Sequence, residues 1–232
     1  MADLNLAVIM DPIESIQPRK DSTLAMLLEA QSRGWKIHYG QLDDIGLHNG
    51  QAFGHLAELQ VAEDPERWFQ LGDRTTTPLA EMDVILMRKD PPFDMEYIFA
   101  TYVLQRAEDH GALVVNRPCG LRDANEKAFM AWFPNCVPPT LISRSLEAMR
   151  EFIAEHNKVV VKPLDLMGGR SVFVTDIDDG NRNVILETVS QVGARYVMLQ
   201  KYLAEIVTAG DSRIILIDGQ PVPKALVRVP SQ

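Results

Sequence analysis

Lys158-Val-Val-Val-Lys-Pro-Leu-Asp-Leu-Met-Gly-Gly-Arg-Ser171 decides how the rest of the chain is read. The valine run at 159–161 has the β-branched composition of a buried strand. Alternation along it puts Lys158, Val160 and Lys162 on one face. Pro163 cannot donate to a continuing ladder, so Lys162 lies near the strand's end, where ligand sites on α/β scaffolds gather. An ammonium there can reach phosphate oxygens as a point charge. Gly168-Gly169 would let backbone N–H groups approach the same oxygens closely. Ser171 to Thr175 is the expected antiparallel partner. Taken alone, the stretch reads more readily as a surface turn with solvated cations, because Gly-rich turns are common. It is not a Walker A loop, since no Gly-Lys-Ser/Thr follows a four-residue gap.

Working outward, the pattern predicts alternating strands and helices. Leu4 to Met10 reads as a buried strand broken by Asp11-Pro12. Asp21 or Ser22 caps a helix running to Arg33, with Leu24, Leu27, Leu28 and Gln31 on one side and Gly34 as the stop. Trp35 to Tyr39 is a second strand, and this opening resembles a parallel α/β unit. Gln51 to Val61 is expected as a pair of strands, Val84 to Met87 as a buried strand, Glu96 to His110 as a helix and Leu113 to Asn116 as a strand stopped by Pro118. Beyond Leu121, helices are predicted over 122–133, 145–156 and 184–192. Strands are predicted over 140–142, 159–161 and 196–200. A final hairpin, 213–217 with 222–229, turns at Asp218-Gly219. No internal repeat or low-complexity segment is present.

Composition narrows the function classes. The chain has 232 residues, 46% hydrophobic and 24% charged, enough for a real core in one large or two smaller domains. With 23 basic and 32 acidic residues the net charge is −9. That argues against nucleic-acid binding, which draws on a basic face. A few well-placed cations still suffice for a small anionic ligand. Cys119 and Cys136 lack metal-type spacing and imply a reducing compartment without a disulfide framework. The stretch Met1 to Met10 reads as a first strand rather than a signal peptide, and no apolar run reaches membrane-spanning length, so a soluble cytoplasmic protein is expected.

Several other residues could carry chemistry. Arg88-Lys-Asp-Pro-Pro-Phe-Asp94 crowds charge at one strand exit, and an anion site there is about as well supported as a solvated loop. Lys127, expected on a helix, reads alone as a solvated lysine. The segment Gln200-Lys201-Tyr202-Leu203 leaves a strand and could offer backbone groups to a purine edge, although a plain buried strand end is the simpler reading. Asp211-Ser-Arg213 is a turn ion pair or a carboxylate-binding arginine. Lys224 and Arg228 share one parity of the last strand and could join it. The five histidines have no metal-ligand spacing. No nucleophile elbow and no dinucleotide GxGxxG is present.

Together these pieces resemble the bacterial glutathione synthetases of the ATP-grasp superfamily. The resemblance runs through Val8 to Pro12, Asp21 to Gln31, Val84 to Asp94, Leu121 to Lys127 and the Lys162 loop. It implies an α/β (α+β) protein in which an N-terminal parallel α/β domain is followed by an ATP-grasp fold with a small lid subdomain. The implied boundaries are 1–121, 122–204 for the lid, and 205–232 for the start of the catalytic subdomain. It assigns Lys127 and Lys162 to ATP phosphates, Gly168, Gly169 and Ser171 to the loop over them, and Gln200, Lys201, Tyr202 and Leu203 to the adenine hinge. Arg213 becomes a substrate-side catalytic arginine with Arg228 beside it, and Asp11 and Arg88 face the dipeptide. The implied reaction joins γ-glutamylcysteine to glycine through an acyl phosphate, using ATP with Mg²⁺ or Mn²⁺. No enzyme nucleophile is required. Partners would be these small molecules; composition speaks against nucleic acid and membrane, and the broad apolar strands of an acidic chain leave a homo-oligomer open.

Two departures from the family pattern stand out. Leu166 occupies a position after Asp165 where the family has glycine, and it would be strained if φ there were positive. After Arg228 the chain reaches Pro230-Ser-Gln232, whereas the resemblance calls for a second Gly-rich loop and an acidic metal-binding segment. The expectation is therefore a synthetase whose metal ligands lie beyond Gln232. The alternatives are a non-catalytic nucleotide- or peptide-binding remnant and another ATP-grasp carboxylate–amine ligase.

Overall fold

In the computed structural model, which describes residues 4–217 and 219–229, β1 (Asn5–Met10) is buried on both faces. Alternate side chains of this strand serve two cores. Leu6, Val8 and Met10 enter one, and Ala7 and Ile9 enter the other. α1 (Ser22–Ser32) covers the first through Leu24, Leu27 and Ala30. Its cap is Asp21, whose carboxylate accepts from Leu24 N at 2.8 Å.

β2 (Lys36–Gly40) runs parallel to β1. β3 (Ile45–His48), β4 (Gln51–Val61) and β5 (Phe69–Pro78) add antiparallel strands, with β4 pairing to β2, β3 and β5. β6 (Val84–Arg88) lies parallel against the other edge of β1. α2 (Met95–Asp109) covers the second core with Tyr97, Ala100, Leu104 and Ala107. β7 (Leu113–Val115) extends the parallel set, and α3 (Pro118–Asp123) packs on α2. The sheet order is β3-β4-β2-β1-β6-β7, with β5 on β4.

The second unit is an antiparallel sheet with two helices. β8 (Thr140–Ser143), α4 (Leu146–His156), β9 (Lys158–Pro163), β10 (Phe173–Asp176), α5 (Arg182–Ser190) and β11 (Val197–Lys201) follow in the chain. The strand order is β10-β9-β11-β8. One face is apolar: Val159, Val161, Val197 and Leu199 pack on Met149 and Ile153 of α4 and on Leu186 and Val189 of α5. A short α6 (Ile206–Ala209) leads to β12 (Asp211–Ile217) and β13 (Gln220–Arg228). These two strands form a separate antiparallel ribbon whose Ile214, Ile215, Leu216 and Ile217 are all more than half exposed. The expected turn at Asp218-Gly219 falls partly outside the described residues at position 218. The chain divides into two compact units, Met1–Asn125 with Asp165–Gly168, and Glu126–Leu164 with Gly169–Gln232.

Three sequence expectations need correction. The pair of strands expected over 51–61 is the single strand β4, because Gly54 marks close packing rather than a turn: a Cβ there would meet Leu56 at 2.9 Å and Leu79 at 3.0 Å. Its partners β3 and β5 lack a strand signal in the sequence, the latter because its outward residues are polar. The helix expected over 122–133 is replaced by α3, an irregular link and a 3-10 turn at Ala128–Trp132. Pro118, expected as a strand stop, is also the first residue of α3, a position that does not need its missing N–H. The helix leaves at Ala124, with ψ 63. Lys127 therefore precedes a 3-10 turn rather than riding on an α-helix.

Candidate active site

In the first unit the chain runs from β1 through α1 to β2 on one side of β1, while β6 lies on the other side. The connectivity therefore reverses between β1 and β6, and the crevice beyond their carboxyl ends is where open parallel sheets bind ligands. Asp11 and Arg88 sit there, since Met10 pairs with Arg88 in the parallel register. Asp11 Oδ1 is 2.8 Å from Lys89 Nζ, and Asp11 Oδ2 accepts from Asp90 N at 2.9 Å. Arg88 is held by hydroxyls at the start of α1: Nε donates to Thr23 Oγ1 at 2.9 Å and Nη2 to Ser22 Oγ at 3.1 Å. Uncharged acceptors orient the guanidinium without neutralising it, which suits it to an incoming carboxylate. The run ends at Asp94, which caps α2 by accepting from Tyr97 N at 3.0 Å. Lys89 belongs to the sequence motif, but nothing local marks it as a partner of Asp11; only the strand register joins the two.

In the second unit, the face of the sheet opposite the helices carries Lys162 of β9 and Gln200 of β11. Lys162 Nζ donates to Gln200 Oε1 at 2.7 Å. Gln200 Nε2 donates to Thr140 Oγ1 at 3.0 Å and approaches Met130 Sδ at 3.2 Å. Lys162 is partly buried, and burial, then the positive charge of Lys127, pushes its ammonium below the ordinary lysine range. Lys127 Nζ lies 2.7 Å from Glu126 Oε1, with its side chain 17% exposed. Two cations of one unit thus press on each other across a partly desolvated region, an arrangement that an anion would relieve.

The loop after β9 has the backbone that the glycines implied. Gly168 and Gly169 have φ of +67° and +74°, and Ser171 also lies at positive φ, +55°. Leu166 is not among the positive-φ residues, so the strain raised against it does not arise. Asp165 O accepts from Phe93 N at 3.2 Å within the first unit, tying this segment to the run after β6.

The residues expected to form the hinge are partly committed elsewhere. Lys201 N donates to Pro139 O and Tyr202 N to Lys158 O, both at 3.0 Å, so these two amides are spent on the fold. Lys158 Nζ lies 4.7 Å from the Tyr202 ring centroid, a cation–π contact. Leu203 is half exposed. On the β12–β13 ribbon, Arg228 pairs with Asp211, whose carboxyl it holds below the usual range by hydrogen bonding. Arg213 stands opposite Leu226, which places it on the face shared by Asp211 and Arg228. Thr140 and Met130 have no local signal in the sequence. They are found only through tertiary structure, by the β8–β11 register in which Gln200 faces Thr140.

Among the described residues no group of three or more His, Cys, Asp or Glu side chains converges to hold a metal ion. No described helix is long and apolar enough to cross a membrane.

Two family models account for nearly the whole chain: "Prokaryotic glutathione synthetase, N-terminal domain" matches residues 4–122 and "Prokaryotic glutathione synthetase, ATP-grasp domain" matches residues 126–232. Glutathione synthetase of Pseudomonas putida is 52% identical over 98% of this chain and 72% of its own length. The Yersinia pestis protein of that name is 49% identical over 99% and 72%. Among solved structures, a D-cycloserine synthetase has a TM-score of 0.62 at 19% identity, covering 98% of this chain and 72% of its own. D-alanyl-alanine synthetase A from Vibrio cholerae has a TM-score of 0.59 at 9% identity, covering 100% and 70%. These two likenesses speak for the fold.

Proposed function

We propose, on the premise that this chain belongs to the prokaryotic glutathione synthetase family, a mechanism in which its two units divide the work of an ATP-dependent ligation. The protein is a carboxylate–amine ligase that joins γ-glutamylcysteine to glycine, giving glutathione, ADP and phosphate. The single observation that carries the chemistry is the partly buried Lys162 ammonium, held by a neutral amide and facing the positive charge of Lys127. Such a pair of cations favours an anion, and the γ-phosphoryl group is the anion this reaction handles.

Phosphoryl transfer to the cysteinyl carboxylate needs positioning and charge stabilisation rather than a protein nucleophile. Lys127 and Lys162 would hold the phosphate oxygens, with the Gly168, Gly169 and Ser171 segment closing over them and excluding water from the acyl phosphate. The amine of glycine then attacks that carbonyl and phosphate departs. Arg213, with Arg228 beside it, would stabilise the substrate side, and Asp11 and Arg88 would bind the dipeptide. The hinge 200–203 would receive adenine. Mg²⁺ is the proposed divalent ion; among the described residues no three His, Cys, Asp or Glu side chains converge to hold it, and when bound it would help neutralise charge on the phosphates.

Residues 1–121 would form the substrate-side domain, 122–204 the lid and 205–232 the start of the catalytic subdomain. The free thiols of Cys119 and Cys136 support a cytoplasmic setting, and the proposed assembly is a homo-oligomer. The test is ADP release with γ-glutamylcysteine, glycine and Mg²⁺. Release should require both the acid and the amine. Turnover with a different acid–amine pair, and none with this one, would overturn the substrate assignment.

A further inference from the structure

Gln200 lies in the proposed hinge, yet both ends of its side-chain amide are committed inside the second unit. The hydrogen-bond polarity of this group is unambiguous. A lysine ammonium can only donate, so the amide oxygen must face Lys162. Thr140 Oγ1 donates to Pro138 O at 2.7 Å, which leaves its lone pairs for Gln200 Nε2. The chain of donors thus runs from Lys162 through Gln200 and Thr140 to the Pro138 carbonyl. Met130 Sδ closes the remaining side of the amide nitrogen. Gln200 itself is 6% exposed, so water does not substitute readily for either contact.

We propose that Gln200, oriented by Thr140, is a positioning residue that fixes the Lys162 ammonium while leaving its positive charge whole for an anionic ligand. This rests on the proposed phosphate role of Lys162. The choice of glutamine has a physical reason. Leucine would leave a partly buried ammonium without its acceptor. Glutamate would neutralise it as an ion pair and compete with phosphate oxygens for the same charge. A neutral acceptor holds the nitrogen in place and does neither.

The test uses the full chain and two readouts. The first is the titration of Lys162, followed by the NMR shift of its ¹³Cε and assigned by loss of the signal in Lys162→Arg. Gln200→Leu should move the midpoint further down and Gln200→Glu should move it up. Thr140→Val should move it down by less, and Thr140→Ser should restore it. The second is calorimetric ATP binding, expected to weaken about tenfold in both Gln200 variants, the worth of one charge-assisted hydrogen bond, with dipeptide binding unchanged. Should Gln200→Leu fail to fold, Gln200→Glu and Thr140→Ser preserve shape and keep the test decisive. A Lys162 midpoint unmoved by Gln200→Glu overturns the proposal, as does ATP binding at wild-type strength in the Gln200 variants. A midpoint that moves in the Gln200 variants, with no ATP binding by the wild-type chain, would support the positioning and overturn the nucleotide function instead.

Discussion

Lys162 shows how far one residue can be reasoned. Its strand, the proline after it and the glycines beyond are enough to place an ammonium near a strand end. Burial and the charge of Lys127 then depress its pKa. Lys162→Ala should weaken ATP binding by about ten- to a hundredfold, the range for a hydrogen bond to a charged group, while leaving dipeptide binding within about a factor of two. Calorimetry showing equal loss for both ligands would remove its phosphate role. The same depression sets a pH dependence. The proposed phosphate contact would be complete below the folded-state pKa and lost as pH rises through it. ATP affinity should therefore begin to fall below pH 10.5, the ordinary lysine value. Lys162→Arg should abolish that decline, because a guanidinium does not deprotonate there. Gln200 is legible in the sequence as a strand end. Its acceptor role is not, because Lys162 lies 38 positions away and Thr140 60 positions away.

At the scale of elements, caps and registers decide where the charged groups stand. Asp21 and Ser22 are equal candidates to cap α1 by sequence, and the structure uses Asp21 as the cap while Ser22 Oγ instead receives Arg88. Asp94 closes the Arg88–Asp94 run by capping α2, so the helix begins where the strand exit ends. Asp94→Ala should cost about 1 kcal/mol, the usual worth of such a cap. A urea melt showing no loss would mean that other groups satisfy the amide of Tyr97. The helix expected over 122–133 fails for an equally local reason. Its residues are acceptable helix formers, but the chain turns away at Ala124 and is stopped again at Pro134, ahead of which Phe133 adopts φ −125 and ψ 59. Propensity alone cannot register such a break in backbone direction.

At the scale of the molecule, separate cores govern stability. Leu104 and Ile153 are fully buried, the first in the α2 face of the parallel sheet and the second between α4 and the antiparallel sheet. Each replaced by alanine should cost about 2–5 kcal/mol. Hydrogen exchange should place the two losses in different units: Leu104→Ala should speed exchange in β1 and β6, and Ile153→Ala in β9 and β11. Matching acceleration in both units from either variant would show that the chain unfolds as one. The sequence by itself determined the buried strands, the helix starts, the pliable Gly168-Gly169 backbone and the family to which the motifs belong, because each depends on residues close in the chain. Tertiary structure alone decided that Asp11 would meet Lys89, that Arg88 would rest on α1, and that Gln200 would join Lys162 to Thr140. Those contacts depend on sheet order and register, which bring together residues whose separation along the chain carries no local signal.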